Sequence, residues 1–354
     1  MSRIEMTKKL IMEHCGKYPA LEIQDLLKFL HQSSFGCEHL VTDLVAATEY
    51  IKRETENYKA SNKDKVEALD GDFCRVHLDV TNEGLRAETL GKLFYLSAHA
   101  VKNGKEELEN RLNIVLELAR KNKIKFSEEE LRKEIAKWRE KGYPACRHSE
   151  KFRELYAPGY RVIRNEYAFY LPLFAKIDSM LALKNVVFAI DGGCGSGKTT
   201  LANLLREVYD CNVFRMDDFF LQPHQRTKER MDEAGGNVDR ERFLEEVLLP
   251  LKNEDYVRYR RYDCSSQKIL KEVIMESKRL NVIEGSYSMH PSLTEQYDFC
   301  VFLDIDSKLQ KERIEKRNSA EFAERFFKIW IPMENKYHSA LQVKERSDLI
   351  FKIQ

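Results

Sequence analysis

Eight consecutive residues, Gly192-Gly193-Cys194-Gly195-Ser196-Gly197-Lys198-Thr199, fit the spacing G-x-x-x-x-G-K-[ST] at every fixed position. The chemistry open to such a run is narrow. Glycines let backbone N–H groups turn inward and approach an anion closely. Lys198 brings a point charge to the β/γ-phosphates, and the Thr199 hydroxyl is an oxygen ligand for magnesium. Thr200 continues into a helix whose positive N-terminal end faces the same anion. The run predicts binding of a nucleoside triphosphate, ATP or GTP, with Mg2+.

A loop of this kind works only between a strand and a helix, and the flanking sequence supplies both. Val186–Ile190 is a short apolar run rich in β-branched residues, and Lys198–Tyr209 has helical spacing. Val213–Met216, Leu280–Ile283 and Phe299–Leu303 are further short apolar runs, each ending in acidic or glycine residues. Strands alternating with amphipathic helices predict an α/β domain, a P-loop NTPase three-layer parallel sheet, over residues 181–354. Acids at strand ends are candidate metal ligands: Glu284 closes one run, Asp217 follows another. Asp191, just before the loop, suits the magnesium shell or a turn equally well.

Four segments taken together, in order, carry a family resemblance: Phe188–Thr200, Met216-Asp-Asp-Phe-Phe220, Gly236-Asn-Val-Asp-Arg-Glu-Arg-Phe243 and Val282-Ile-Glu-Gly-Ser286. They resemble the uridine kinase and phosphoribulokinase-type family over residues 185–350, about half of the chain. The resemblance implies that Asp217 is the catalytic carboxylate acting as base toward an acceptor hydroxyl, and that it reaches the magnesium shell with Thr199 and Glu284. It implies that Asn237 and Asp239 help hold the acceptor, with Tyr262 and Asp263 close to it. It also implies a lid after Phe299–Asp304, whose Arg313 and Arg317 approach the transferring phosphoryl group; the guanidinium fork suits spread negative charge. Around residues 221–236 the chain departs from nucleoside kinases, and no base-reading residue can be placed. The segment Arg258-Tyr-Arg-Arg261 is either an attraction for an anionic acceptor or a solvated charge run.

The first 180 residues read as a mostly α-helical (α+β) domain. Leu21–His31, Leu40–Arg53, Leu85–Val101 and Leu108–Lys121 carry apolar residues near helical spacing, with Asn103-Gly104 closing the third. Ser127 and Glu130 predict a capping box, with Gly142 past the end of its helix. Cys74, Val76, Leu78 and Val80 alternate with polar residues, a strand signal with no partner identifiable from sequence. Two groups of residues suit chemistry here. His31, Cys37, Glu38 and His39 are candidates for a metal or substrate site, although their spacing matches no zinc pattern and a hydrogen-bonded loop is the plainer reading. His148, Arg153, Tyr160 and Arg161 lie in a stretch where basic residues alternate with aromatics, a second-site hypothesis for phosphates, carboxylates or stacked bases. Packing by Tyr156, Tyr160 and Tyr167 is the competing reading.

Composition sets the outer bounds. With 59 basic and 58 acidic side chains the formal net charge is +1, which announces no bulk binder of nucleic acid or of a membrane surface and leaves a local basic patch open. The first residues lack the apolar core of a signal peptide, and no run approaches the ~18 apolar residues of a membrane span. Eight scattered cysteines without a CxxC pair predict reduced thiols and a cytoplasmic protein. The expectation is an ATP- and Mg-dependent kinase acting on a hydroxyl of a small nucleoside- or sugar-like molecule. Two alternatives stand beside it: a bifunctional enzyme whose N-terminal domain catalyses a linked step, and a nucleotide-dependent switch. A homo-oligomer is left open.

Overall fold

The computed structural model describes residues 2–37, 41, 43–56, 58, 64–98 and 104–354. The chain divides into two compact units, Met1–Ser179 and Met180–Gln354.

The first unit sets helices around a small antiparallel sheet of β1 (Val66–Ala68), β2 (Phe73–His77) and β3 (Tyr160–Arg164), in the order β1-β2-β3. The alternating segment is therefore not a lone strand. It is the central one, and it stops at His77, where residues 78–83 tighten into a 3-10 turn. Its second partner, β3, is 89 residues away at the facing pair Cys74 and Ile163, so no local pattern could reveal the pairing. Register sets Glu67 opposite Arg75 and Tyr160 opposite His77.

Helices fall near the expected places: Ile23–Phe35, Leu44–Glu56, Ala87–Ala98 and Gly104–Arg120. Gly104 opens a helix rather than closing one; Leu40, Val101 and Asn103 lie outside the described residues. The Ser127–Glu130 capping box forms, and Gly142 follows at φ +76°.

The second unit is a five-stranded parallel sheet of β4 (Val186–Gly192), β5 (Cys211–Arg215), β8 (Leu280–Glu284), β9 (Phe299–Ile305) and β10 (Leu349–Ile353), with an antiparallel hairpin of β6 (Tyr256–Asp263) and β7 (Lys268–Glu276). The parallel order is β10-β9-β4-β8-β5. Every residue of β4 is buried, as the middle strand of a sheet covered on both faces requires. Ala189, Phe214, Ile283 and Phe302 share one core with Phe243, Val257 and Tyr337, while Phe188 stacks on Phe299 at 4.5 Å.

The connections from β4 run to one side of the sheet, through β5, and from β8 to the other, through β9. A crevice therefore opens at the carboxyl ends of the strands beside β4, the place where open α/β sheets hold ligands. Past the helix Ser307–Arg317, one π-helical turn, Phe326–Trp330, leads into Ile331–Ala340. Pro332 stands just past that π-helical turn, within a helical stretch that runs unbroken from Ala320 to Ala340.

Candidate active site

The loop after β4 has the backbone that the glycine pattern anticipates. Gly192, Gly195 and Gly197 have φ of 145°, 76° and 99°. A Cβ on Gly192 would stand 2.5 Å from the Leu303 carbonyl oxygen of β9, so this position tolerates no side chain. The helix Lys198–Val208 begins at Gly197 with no side-chain cap, which leaves its first N–H groups directed at the loop and available to an anion. Lys198 Nζ donates to the carbonyls of Gly192 (2.7 Å) and Gly193 (3.2 Å) and to Ser286 Oγ (3.2 Å), lying across the loop mouth.

Three candidate magnesium ligands meet at the same edge of the sheet. The Thr199 hydroxyl donates to Glu284 Oε1 at 3.2 Å, and Glu284 ends β8 beside β4. Asp217 lies in the single turn Met216–Phe219 that follows β5. It faces open space, yet the surrounding protein desolvates it. That desolvation pushes its pKa up against the pull of Lys198, and the Glu334 charge adds to the rise. Burial and the charge of Asp217 likewise raise Glu284. Asp218 turns away and pairs with Arg261 at 3.5 Å.

Asp191 is fully engaged inside the protein. It accepts from the N–H groups of Gly192 (2.6 Å) and Met289 (3.1 Å) and from the Tyr337 hydroxyl (2.9 Å). Burial acts to raise its pKa, but His338, Lys198 and the Gly192 N–H outweigh burial and hold it below the usual value. Its work is to fasten the loop's entrance strand to the helix Ile331–Ala340.

That helix brings a residue that the motifs do not announce. Glu334, 6% exposed, accepts from the Cys194 N–H at 2.7 Å and from Ser286 Oγ at 2.6 Å. A carboxylate thus holds a donor of the phosphate loop itself. Nothing in the spacing of Trp330-Ile-Pro-Met-Glu334 signals this, because the contact joins residues 140 apart.

The helix Ser307–Arg317 also touches the loop: Arg313 Nη1 donates to the Gly195 carbonyl (3.1 Å) and Gln310 Nε2 to the Cys194 carbonyl (2.9 Å). Arg317 is exposed, with its guanidinium 5.8 Å from the Phe326 ring centre.

The expected acceptor residues have mixed surroundings. Asn237 is half-buried, and its Oδ1 has no hydrogen-bond partner. Asp239 caps the helix Arg240–Phe243 through the Arg242 N–H and also accepts from Gln225 at 2.8 Å. The buried Tyr262 hydroxyl accepts from Arg226 Nη2 at 3.1 Å. Asp263 caps the turn between β6 and β7 through Ser265 and Ser266. Arg258, Arg260 and Arg261 each face an acid, Glu272, Glu246 and Asp218, so this segment is a neutralised strand edge.

These features already describe a phosphate-binding crevice with a carboxylate set beside it. Residues 187–322 match the phosphoribulokinase / uridine kinase family. The match supports a P-loop kinase of the uridine kinase or phosphoribulokinase kind, and it falls on the unit that holds the loop, Asp217, Glu284 and the helix Ser307–Arg317. Among solved structures, the chain is similar to one described as a possible uridine kinase from Bacillus stearothermophilus, at 22% identity. That likeness covers 51% of this chain and 99% of that one, with a TM-score of 0.38. It is also similar to TT1252 from Thermus thermophilus at 18% identity, covering 48% of this chain and 90% of that one, with a TM-score of 0.27.

In the first unit, His148 and Tyr160 come together, His148 Nε2 lying 2.7 Å from the Tyr160 hydroxyl. Arg161 follows Tyr160 in β3 and so points to the opposite face, where it pairs with Glu54 at 2.6 Å; Arg153 is exposed. Cys37 is buried, and Glu38 and His39 lie outside the described residues. Among the described residues no group of three or more His, Cys, Asp or Glu is arranged to hold a metal ion, and no helix is long and apolar enough to cross a membrane.

Proposed function

We propose that the chain is a kinase that uses Mg–ATP, or GTP, to phosphorylate a hydroxyl group of a small molecule. The observation that carries this reading is the convergence, at one sheet edge, of the phosphate loop, the Thr199–Glu284 pair and the Asp217 carboxyl. A pure nucleotide switch needs the first two and has no use for the third.

The residues fit a magnesium ion. Thr199, Glu284 and Asp217 offer hard oxygen donors; burial raises the pKa of both carboxyls, and the Asp217 charge adds to the rise at Glu284, a strain that a divalent cation relieves. Bound there, the ion would neutralise charge on the phosphate oxygens. Lys198 exchanges its carbonyl partners for those oxygens and keeps the triphosphate tail straight across the loop. Asp217 takes the proton from the acceptor hydroxyl as its oxygen bonds to the γ-phosphorus and the bond to the departing diphosphate breaks. Its raised pKa suits a group that must accept a proton. Arg313, now on the Gly195 carbonyl, is one lid movement away from the transferred group, with Arg317 a turn beyond. Asn237, with its unpartnered carbonyl oxygen, is the acceptor-side residue with a free valence. The eight cysteines form no disulfide with one another, which fits a reducing compartment such as the cytoplasm.

The test is ADP release from Mg–ATP with panels of nucleosides, sugars, vitamins and hydroxy acids, alongside Lys198→Ala. Acceptor-dependent ADP from the native chain alone is expected. Asp217→Asn should keep nucleotide affinity and lose at least ~100-fold in turnover. Undiminished turnover in Asp217→Asn would remove that residue from its role. Nucleotide binding with no acceptor-stimulated turnover, even with a broad metabolite extract, would favour the switch.

A further inference from the structure

We propose that the first unit carries a second ligand site, independent of the nucleotide site, which takes the carboxylate or phosphate oxygen of a small molecule on Arg75 and His77. The two residues alternate along β2 and therefore share one face of its sheet; register adds Glu67 from β1 and Tyr160 from β3 to that face. His14, from the helix Arg3–Lys17, and Gln32, from Ile23–Phe35, reach the same cluster.

Arg75 is wholly buried, an arrangement that costs several kcal/mol unless the charge is paired and every N–H is met. Part of that requirement is satisfied. Nη1 donates to Glu67 Oε1 (3.0 Å) and Nε to Gln32 Oε1 (2.9 Å), and the guanidinium lies 4.7 Å from the Tyr160 ring centre and 5.5 Å from that of Phe29. Nη2 has no partner. Buried His77 has no hydrogen-bond partner within 3.5 Å; its Nε2 faces Glu67 Oε2 at 3.9 Å and helps to hold that carboxyl ionised. His14 meets Glu67 through Nδ1 at 3.0 Å, while its Nε2 is unmet.

Among the described residues, the buried side-chain atoms without partners fall into two sets. One belongs to the second unit and includes Ser196 of the phosphate loop and Asn237 on the acceptor side; the other is Arg75, His77 and His14. The second-unit set also holds Arg240, Arg242 and His338, which stand beside acids, whereas Arg75, His77 and His14 gather around the one carboxylate of Glu67.

The unmet valences also specify chemistry. Arg75 Nη2 can only donate, and its charge is permanent, so its complement is an anionic oxygen. His77 has a ring N–H available to the same oxygen group. His14 donates from Nδ1 to Glu67, which leaves Nε2 as a bare acceptor for a hydroxyl on or beside that group.

A hydrogen-bonded relay stands at the edge of the cluster. Buried Asp25 accepts from His148 Nδ1 (2.9 Å), the Ser149 N–H (2.9 Å) and Ser149 Oγ (2.7 Å). With Nδ1 so fixed as the donor, His148 Nε2 accepts the Tyr160 O–H at 2.7 Å. Tyr160 as a residue is half-buried, whereas Arg75, His77 and His14 are buried, and its hydroxyl also lies 3.4 Å from Gln32 Oε1.

The experiment reads the site locally. In the full chain carrying Lys198→Ala, which disables the phosphate loop, ring Cε1–H NMR signals of His14 and His77 are followed during titration with inorganic phosphate in one arm and glycolate in the other. Saturable shifts of both signals in at least one arm are expected; the responding arm identifies phosphate or carboxylate as the natural group. Arg75→Met should weaken the responding anion at least ~10-fold, the worth of one charged hydrogen bond. Because that variant removes a buried ion-pair partner and can unfold, His77→Asn is the second probe and should weaken it as well. If neither anion gives a saturable shift, or if binding survives both substitutions in folded protein, the cluster is a hydrated structural network and the proposal is overturned. Neither result depends on whether unit two binds nucleotide.

Discussion

Glu334 occupies a backbone donor of the phosphate loop, the Cys194 N–H, and removing it should tighten nucleotide binding. The carboxylate takes the Cys194 N–H at 2.7 Å and the Ser286 hydroxyl at 2.6 Å, and Ser286 is also a partner of Lys198. A nucleotide that claims these donors must first displace the carboxylate, and the net worth of what is displaced subtracts from its affinity. A buried hydrogen bond to a charged group contributes about 1.5–3 kcal/mol net, so one such contact is equivalent to a factor of roughly 10–100 in dissociation constant. Charge repulsion between the carboxylate and the phosphates acts in the same direction. Glu334→Ala should therefore bind ATP about 10- to 100-fold more tightly than the native chain. Glu334→Gln should fall between them, since the amide oxygen can still accept while the charge is gone. The helix that carries the residue remains fastened through the Tyr337–Asp191 hydrogen bond at 2.9 Å, so the fold should survive. Calorimetric titration with ATP, with and without magnesium, measures the effect directly. Equal or weaker binding by a folded Glu334→Ala variant would refute the argument; Glu334 would then be a support for the loop rather than an occupant of it. A native chain that binds no nucleotide at all would instead refute the kinase reading.

Two further outcomes follow from local geometry. Gly192→Ala places a Cβ 2.5 Å from the Leu303 carbonyl at φ 145°, so it should destabilise the second unit by at least ~2 kcal/mol and abolish nucleotide binding. Gly16→Ala is the control, an exposed helical position with nothing within 4 Å of the added carbon, where a gain of about 0.5–1 kcal/mol is expected; equal melting shifts for the two variants would contradict the geometry. Burial lowers the His14 pKa to about 4, opposed by Glu67, with Arg75 and His148 nearby. Its depressed value means that the unfolded chain binds the extra proton first, so stability is full above ~6.5 and declines as pH falls toward 4. Urea unfolding of the Trp330→Phe chain, read by Trp138, should lose about 2 kcal/mol between pH 7 and pH 5, with His148, also lowered by burial, adding in the same direction. Asp25 and Glu67 titrate below that window. His14→Gln should flatten the profile; an unchanged slope would show that His14 is not responsible.

The residues read from the sequence and those visible only in the fold differ in range. The phosphate loop is legible because its eight residues are contiguous and its constraint is a backbone one: only glycine accepts φ 145° at 192 with a carbonyl so near. Glu284 and Asp217 are legible for a related reason, since each sits at or just past the end of an apolar strand, and β4, β5, β8 and β9 are visible as buried runs. β10 carries only five residues, of which Ile350 and Lys352 are exposed, and gives no comparable run. The rest depends on distance along the chain. Glu334 meets Cys194 across 140 residues, Tyr337 meets Asp191 across 146, and His148 meets Asp25 across 123. Periodicity carries no information over such spans. Sequence also places Tyr160 and Arg161 side by side as one group of candidates, whereas pleating sends them to opposite faces, one to His148 and the other to Glu54. The sequence by itself determined a strand–loop–helix that can hold phosphate, because that unit is local. Which carboxylate guards the loop, and which buried arginine lacks a partner, were decided by tertiary packing, because hydrogen bonds and burial are satisfied in space and not along the chain.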